Sequence, residues 1–323
     1  MIRRPPRSTR KESSAASDVY KRQDMALYVR NQVNRFNPYL NRNGINEKFQ
    51  GYCGDILFNE AIKWIESGDD EQPHFLYLAT SIPHGPVAAP EEYLAIYEDS
   101  GLTEKQAGYY AMVSNVDTNM GRLMKWLEKR DNKRKTILIF MTDNGHAISG
   151  YHGAGHNFKG FLEQDGLYNA GLRGAKNQQW QGGTCVPFFL HWPGIADEGL
   201  DNYRLGSGMD ILPTFCEIIG VKPDDAGLQG YSLLNDILGK PSSIPQDRVL
   251  INHAGRWTYP TEMESFKYNA SMITNRFRLV WERESKSNKD AKRSLALYNY
   301  RTCLLYTSPS PRDVEESRMP SSA

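Results

Sequence analysis

The chain has 323 residues, of which 39% are hydrophobic and 24% are charged, and its formal net charge is +1. These proportions are typical of a globular protein with one large domain or two smaller ones, and no run of about 18 apolar residues occurs, so no transmembrane helix is expected. The excess of basic residues lies in residues 2–23, and the mildly acidic remainder argues against a nucleic-acid partner.

The two ends of the chain differ in composition from the rest. Residues 1–23 are rich in Arg, Ser and Pro without an apolar period, and residues 302–323 are similar in style. Both resemble translated sequencing-library adapters, so we expect them to be non-native and disordered, and we expect the natural N-terminus to be missing. A basic targeting arm is the alternative for the first segment, but no apolar signal-peptide core follows it.

A helix and a strand are predicted first between these ends. Residues 54–68 place apolar side chains at helical spacing, and Gly68 suits the end of a helix. Residues 75–80 form a short apolar run between Pro73 and Pro83, which favours a buried strand. A loop follows this strand.

A long helix and a second strand are predicted next. Residues 103–130 form the helix, for which Thr103 is the expected N-cap. Its expected buried stripe consists of apolar side chains at helical spacing, namely Tyr109, Met112, Val113, Val116, Met120, Leu123, Met124 and Leu127. Residues 137–141 are apolar without polar alternation, which is typical of a central parallel strand that is covered on both faces.

A glycine-rich stretch, residues 145–183, follows the second strand. A loop of this length inside a compact domain is usually functional or disordered. A further strand is predicted over residues 186–192, where Pro193 and Gly194 end it. Asp210 is the expected N-cap of a helix that ends at Gly220.

The pattern of the sequence changes at residue 240. Strands alternate with helices over residues 24–240, which predicts an α/β domain whose sheet is flanked by helices. Strand-like runs at residues 248–252 and 273–281 are joined by polar segments. Residues 241–301 are therefore predicted to begin a small antiparallel α+β subdomain.

The most informative polar motif, Thr142-Asp143-Asn144-Gly145, directly follows the apolar strand over residues 137–141. Ligand sites of open α/β sheets lie at the carboxyl ends of strands, and the Asp143 carboxylate and the Asn144 amide oxygen are suitable ligands for a cation such as Ca²⁺. On its own, the motif favours an ordinary turn, because Asp, Asn and Gly are common turn residues.

Two further residues have candidate roles. His84 lies in Pro83-His84-Gly85-Pro86, just past a predicted strand end, where it could donate a proton to a leaving group. Lys176 lies in a glycine-flanked loop from which it could reach a bound oxyanion. Each residue, taken alone, is more commonly a solvated surface side chain. The cysteines are scattered without CxxC spacing, which indicates neither a zinc site nor a disulfide framework.

The order of the motifs along the chain is more specific than any one of them. They are Pro83-His84-Gly85-Pro86, Asp-x-x-x-Gly-Arg at 117–122, Thr-Asp-Asn-Gly at 142–145, Arg-Gly-Ala-Lys at 173–176, Gly-Gly-Thr-Cys-Val-Pro at 182–187, Trp-Pro-Gly at 192–194, Gly-Tyr-Ser-Leu-Leu at 230–234 and Leu-Tyr-Asn at 297–299. This series resembles the later part of the sulfatases, which belong to the alkaline phosphatase superfamily.

The resemblance implies an alkaline phosphatase-like fold, incomplete in this chain, and hydrolysis of sulfate esters of the arylsulfatase type, including those of sulfated carbohydrates. By position, Asp143 and Asn144 would be ligands of a divalent cation, usually Ca²⁺. His84 would contact the ester oxygen and help it leave, and Lys176 would bind a sulfate oxygen. His253 resembles part of a His-x-Gly-Arg-Trp segment and would either line the substrate pocket or have a structural role. A periplasmic, extracellular or lysosomal location is expected from the family.

The family's nucleophile is a formylglycine made from the Cys or Ser of a Cys/Ser-x-Pro-Ser-Arg motif, which does not occur in this sequence. We therefore expect the formylglycine to belong to a missing N-terminal part and this polypeptide alone to be inactive. Two other readings stay open. One is a phosphate or phosphonate ester hydrolase of the same superfamily, and the other is a non-catalytic relative.

Overall fold

The computed structural model describes residues 27–29, 35–68, 72–130, 136–146, 168, 172–176, 178–222, 227–253, 270–283 and 293–299. The chain divides into two units, Met1–Asn132 and Lys133–Ala323. The adapter-like ends lie outside the described residues, and the domain boundaries drawn at residues 23, 240 and 301 stay predictions.

The first unit begins with a three-stranded antiparallel sheet of β1 (Leu27–Val29), β2 (Tyr39–Arg42) and β3 (Ile45–Lys48). Asn43-Gly44 joins β2 to β3, and both residues have positive φ, as the two-residue hairpin turn requires. The sequence interpretation did not include this sheet, although Asn-Gly between two short strands is its usual signal.

The two helices predicted in this unit are confirmed. Helix α1 spans Cys53–Ser67 and ends before Gly68. A short helix, α2 (Glu91–Leu94), precedes the long helix α3 (Glu104–Lys129). Thr103 caps α3 as expected, because its hydroxyl accepts from the Gln106 amide while its own amide donates to the Gln106 side chain at 2.9 Å.

The contact between α1 and α3 is partly polar. The Asp55 carboxylate of α1 accepts from the side-chain amides of Asn115 and Asn119 on α3, at 2.8 and 2.7 Å. Arg122 donates to Asn119 at 2.6 Å and to Asn59 of α1 at 2.5 Å. The buried face of α3 therefore includes Asn115 and Asn119, which the predicted apolar stripe omitted, whereas Val113 from that stripe is 41% exposed.

The strand predicted over residues 75–80 is wrong, because this segment has no regular secondary structure. Phe75 and Tyr77 are 65% and 43% exposed. A buried strand needs both faces covered as well as an apolar sequence, and here aromatic side chains at alternate positions face solvent.

The second unit contains β4 (Leu138–Met141) and β5 (Phe188–His191), which pair antiparallel. Both strands were predicted, but the expectation that the first is parallel and covered on both faces is wrong. One face packs against α5 (Ile211–Ile218) through apolar side chains, which include Ile139, Leu190 and Phe215. The other face carries Phe189, which is 66% exposed, so in the part of the chain that the structure describes an uninterrupted apolar run did not require two covered faces.

Asp210 occupies the N-cap position of α5, as predicted, but its side chain makes no capping hydrogen bond to this helix. It is fully buried, and its carboxylate receives two hydrogen bonds of 2.7 Å from the guanidinium of Arg248. The same carboxylate accepts from the backbone amides of Ser207 and Tyr231, at 2.7 and 2.9 Å. The buried charge is thus satisfied on all sides, which such a group requires.

Strands β6 (Leu250–His253), β7 (Ala270–Ile273), β8 (Phe277–Arg283) and β9 (Arg293–Asn299) form an antiparallel sheet in sequence order. This confirms the predicted antiparallel C-terminal unit. The single strand predicted over residues 273–281 is in fact the end of β7, a turn and β8. The Thr274 hydroxyl accepts from the Phe277 amide at 2.9 Å across this turn. A short helix, α6 (Leu234–Ile237), precedes the sheet, and no described helix is long and apolar enough to cross a membrane.

Replacing Arg248 by Met is expected to lower the free energy of unfolding by about 3–5 kcal/mol, because it leaves the Asp210 carboxylate buried without its counter-charge. Urea titration followed by circular dichroism measures this loss. The matched control is Arg42→Met, because the Arg42 side chain is one-third exposed and pairs with Glu60 and Glu47; this change should cost about 1 kcal/mol or less. Equal losses in the two variants would contradict the importance of the buried pair.

Candidate active site

The Asp143-Asn144 turn directly follows β4, as predicted. The Asp143 side chain is exposed and Asn144 is half-buried. The Asn144 amide nitrogen donates to the Gly145 carbonyl at 2.9 Å, so the side-chain oxygen is left as an acceptor. The turn therefore offers one carboxylate and one amide oxygen, which are both hard ligands suited to Ca²⁺.

The loop that carries Lys176 lies against this turn. The Lys176 amide donates to the His146 carbonyl at 2.9 Å, and the Gly145 amide donates to the Gly183 carbonyl at 3.1 Å. Residues 172–184 close on themselves through a 2.7 Å bond from the Gly182 amide to the Arg173 carbonyl. The backbones of two predicted motifs, Thr-Asp-Asn-Gly and Arg-Gly-Ala-Lys, are thus in direct contact.

Glycine is required for this contact. A Cβ atom at Gly145 would lie 1.8 Å from the Gly182 carbonyl oxygen, and one at Gly183 would lie 2.3 Å from the Ala175 carbonyl oxygen. Both obstacles are backbone atoms, which cannot rotate away as a side chain does. Packing therefore explains the glycines at positions 145 and 183, whereas residues 147–167 of the same predicted loop lie outside the described part of the chain.

The β6–β9 sheet holds the other side of the Lys176 loop. The Arg173 guanidinium lies 3.6 Å from the centre of the Trp180 ring and donates to the Tyr298 hydroxyl at 3.2 Å. The Trp180 and Tyr298 rings meet edge to face at 5.3 Å. Tyr298 belongs to the Leu-Tyr-Asn motif, so this motif and Arg-Gly-Ala-Lys are neighbours in space.

Sequence reasoning missed Arg278 of β8, which is 6% exposed. Its guanidinium donates to the Gln179 carbonyl at 2.9 Å and to the Thr184 hydroxyl at 2.7 Å, and so joins the two ends of the segment that contains α4 (Gln181–Thr184). The only signal in the sequence is an Arg at an inward position of a strand, where a charged residue is seldom buried without a partner.

His84 lies in the first unit and is described with it. Its amide donates to the Ser81 carbonyl at 3.1 Å, and its Nδ1 lies 2.8 Å from the Gly85 carbonyl oxygen. The ring is otherwise exposed, as a proton donor to a substrate must be. The structure thus orients Nε2 away from the backbone.

His253 is the last residue of β6 and is exposed. It pairs with Ala270 of β7. This face of the sheet also carries Ile251 and Met272, which are 61% and 44% exposed. The position is compatible with either the pocket-lining or the structural role, and the choice between them stays open.

The donor set around the turn fits a divalent cation in kind but not in number. Within the described ranges, no group of three or more His, Cys, Asp or Glu side chains is gathered to hold a metal ion. Ca²⁺ takes about 6–8 oxygen ligands. Asp143 and Asn144 can therefore supply part of a coordination shell.

Comparison with solved structures identifies the fold. The chain superposes on Ps i-CgsB in complex with k-i-k-neocarrahexaose with a TM-score of 0.65 and 24% identity, covering 86% of this chain and 55% of that one. It superposes on BT4656 in complex with its substrate D-glucosamine-2-N,6-O-disulfate with a TM-score of 0.61 and 17% identity, covering 87% and 70%. The α/β fold is alkaline phosphatase-like, with a small antiparallel C-terminal sheet, as expected.

Sequence comparison gives the family. The family model described as Sulfatase matches residues 10–221, so the chain belongs to the sulfatase family. It is 32% identical over 217 residues to the uncharacterized sulfatase YdeN of Escherichia coli K12, covering 66% of this chain and 36% of that protein. It is 24% identical over 263 residues to the arylsulfatase of Klebsiella aerogenes, covering 59% and 56%. The chain thus spans about a third to a half of the length of these relatives.

Replacing Gly145 by Ala is expected to separate the Asp143-Asn144 turn from the Lys176 loop and to cost about 1–3 kcal/mol of stability, because the added methyl group overlaps a backbone oxygen. Amide hydrogen exchange measures the separation, as protection of the Lys176 amide should fall. Gly206→Ala is the control, since a Cβ atom there meets nothing within 4 Å. Unchanged protection in Gly145→Ala would refute the close contact.

Proposed function

We propose that the chain supplies the cation-binding and sulfate-binding half of a sulfuric ester hydrolase that acts on sulfated carbohydrates. The observation that carries this proposal is the direct backbone contact between the Asp143-Asn144 turn and the Lys176 loop. The contact brings oxygen ligands for a cation and an ammonium group onto adjoining loops. The family assignment supports sulfate chemistry, and the sugar sulfate bound by BT4656 supports the substrate class.

The proposed roles follow from the chemistry of the ester. Breaking the S–O bond leaves negative charge on the ester oxygen, and the sulfate group already carries negative charge on its other oxygens. A divalent cation held by Asp143 and Asn144 would supply Lewis-acid stabilisation of those oxygens. The Lys176 ammonium would add a second positive charge beside them.

His84 is proposed to protonate the departing alcohol. Its Nδ1 is engaged by the Gly85 carbonyl, so Nε2 of the imidazolium form is the nitrogen that can pass a proton to the ester oxygen, which leaves the neutral Nδ1–H ring behind. A positioned acid of this kind typically contributes about 10²–10⁴-fold to the rate. His253 is proposed to contact the alcohol part of the substrate.

The proposed nucleophile is a formylglycine, whose source motif Cys/Ser-x-Pro-Ser-Arg does not occur in these 323 residues. The similar stretch Ser308-Pro309-Ser310-Pro311-Arg312 has the wrong order. The formylglycine is therefore proposed to come from outside this sequence.

The purified polypeptide is expected to release no 4-nitrophenol from 4-nitrophenyl sulfate in the presence of Ca²⁺. A chimera in which it replaces the aligned segment of the Klebsiella aerogenes arylsulfatase should restore hydrolysis. In that chimera, Lys176→Ala should lower kcat/KM by about 10²–10³-fold through lost charge stabilisation, whereas Asp197→Ala, an exposed position, should have no effect. Turnover by the polypeptide alone would refute the missing nucleophile, and preferential cleavage of a phosphonate ester by the chimera would favour the alternative hydrolase.

Calcium binding by the polypeptide alone is expected to be weak, with a dissociation constant of about 10⁻³ M or higher, because two residues supply only part of the shell. Isothermal titration calorimetry measures it. Asp143→Ala should abolish the binding heat, and Asp197→Ala should leave it unchanged. Equal heats in both variants would place the cation elsewhere.

A further inference from the structure

Arg35 is a buried cation in the first unit, 3% exposed, that lies before β2. Its backbone carbonyl accepts from the Cys53 amide at the start of α1, at 2.8 Å. Two structural elements therefore fix its position, and its side chain is directed at the loop that contains His84.

The Arg35 guanidinium bonds to this loop at four acceptors. Nη1 donates to the Ser81 hydroxyl at 2.6 Å. Nη2 donates to the Ser81 carbonyl at 3.1 Å, to the Gly85 carbonyl at 3.2 Å and to the His84 carbonyl. One side chain thus holds the backbone on both sides of the imidazole.

All four acceptors are neutral. Among the described residues, no carboxylate forms an ion pair with Arg35, and burial lowers the pKa of its guanidinium below the ordinary value for arginine. Burying a cation without a counter-charge is unfavourable, so the carbonyl dipoles must offset the lost hydration. A Lys or a neutral donor could not reach the same set, because only guanidinium presents several N–H groups in one rigid plane.

The link to His84 is the Gly85 carbonyl oxygen. It accepts from Arg35 Nη2, and it also lies 2.8 Å from His84 Nδ1. A carbonyl oxygen can only accept, so Nδ1 must carry a hydrogen. The neutral ring is then in the Nδ1–H form, with Nε2 unprotonated and directed away from the backbone.

We propose that Arg35 is a positioning residue for His84. By fixing the Gly85 carbonyl, it holds the imidazole with its hydrogen on Nδ1, so that Nε2 is the nitrogen that takes up a proton and, in the imidazolium form, passes it on. The catalytic meaning of this arrangement rests on the function proposed above for His84, but the tautomer is a property of the chain itself and can be measured without turnover.

The test is the ring tautomer of His84, read from long-range proton–nitrogen NMR spectra of the ¹⁵N-histidine-labelled chain at a pH where the ring is neutral. The unmodified chain should show predominantly Nδ1–H. Arg35→Met should shift the ratio of the tautomers toward Nε2–H by about tenfold, the effect of losing the support of one hydrogen bond. An unchanged ratio in a variant that keeps its helical circular dichroism would overturn the proposal, as would an Nε2–H form in the unmodified chain.

Arg42→Met is the matched control, because Arg42 lies in the same unit and pairs with Glu60 and Glu47. It should leave the tautomer unchanged. If Arg35→Met does not fold, Arg35→Lys takes its place, since an ammonium keeps the positive charge but lacks the planar set of N–H donors. The two proposals can fail separately. If Arg35→Met shifts the tautomer as expected but the chimera stays active after His84→Ala, the catalytic role of His84 is rejected and the positioning of its ring by Arg35 is supported.

Discussion

Donation from buried guanidinium groups to the oxygens of loops is the interaction on which the His84 loop of the first unit and the segment after Lys176 in the second unit each depend. A loop has no helix or sheet partners for its carbonyl groups, and a buried carbonyl without a partner is unfavourable. Arg35 meets this need for the His84 loop, and Arg278 meets it for the segment that follows Lys176. In each case an arginine from outside the loop sets its path, and the residues with proposed chemistry follow that path.

In the second unit, glycine residues also shape the site, because they carry no side chain and let two backbones approach closely. Arg278 donates hydrogen bonds to the segment after Lys176, and Gly145 and Gly183 let this segment and the Asp143-Asn144 turn approach to hydrogen-bond distance. The result is a pair of loops whose separation is set by main-chain atoms. Main-chain contacts of this kind are stiffer than contacts between long side chains, which suits a site that must hold several charges in register.

The sequence predicts the helices of the first unit well, because helical period and the Thr103 cap are local properties. Motif order also leads to Asp143, Asn144 and Lys176, and the structure brings the two motifs that contain them together, while their metal and catalytic roles stay predictions. Strand pairing was harder to predict from the sequence. The apolar run at residues 137–141 indicates which residues tend to be buried, but it does not indicate which strand lies beside them. The burial of Asn115 and Arg278 was not predicted. A polar side chain can be buried only where it has hydrogen-bond partners, and the partners of these two residues are distant in sequence.

The alternation of side chains in the C-terminal sheet limits where residues can be inserted in this protein. Arg278 and Tyr298 are opposite one another in β8 and β9, and both reach the Lys176 loop from the same face of the sheet. Side chains of a strand alternate between faces, so inserting a single residue between the start of β8 and Arg278 would turn the guanidinium to the opposite side. Changes of length in these strands are therefore tolerable in pairs or at the distal ends.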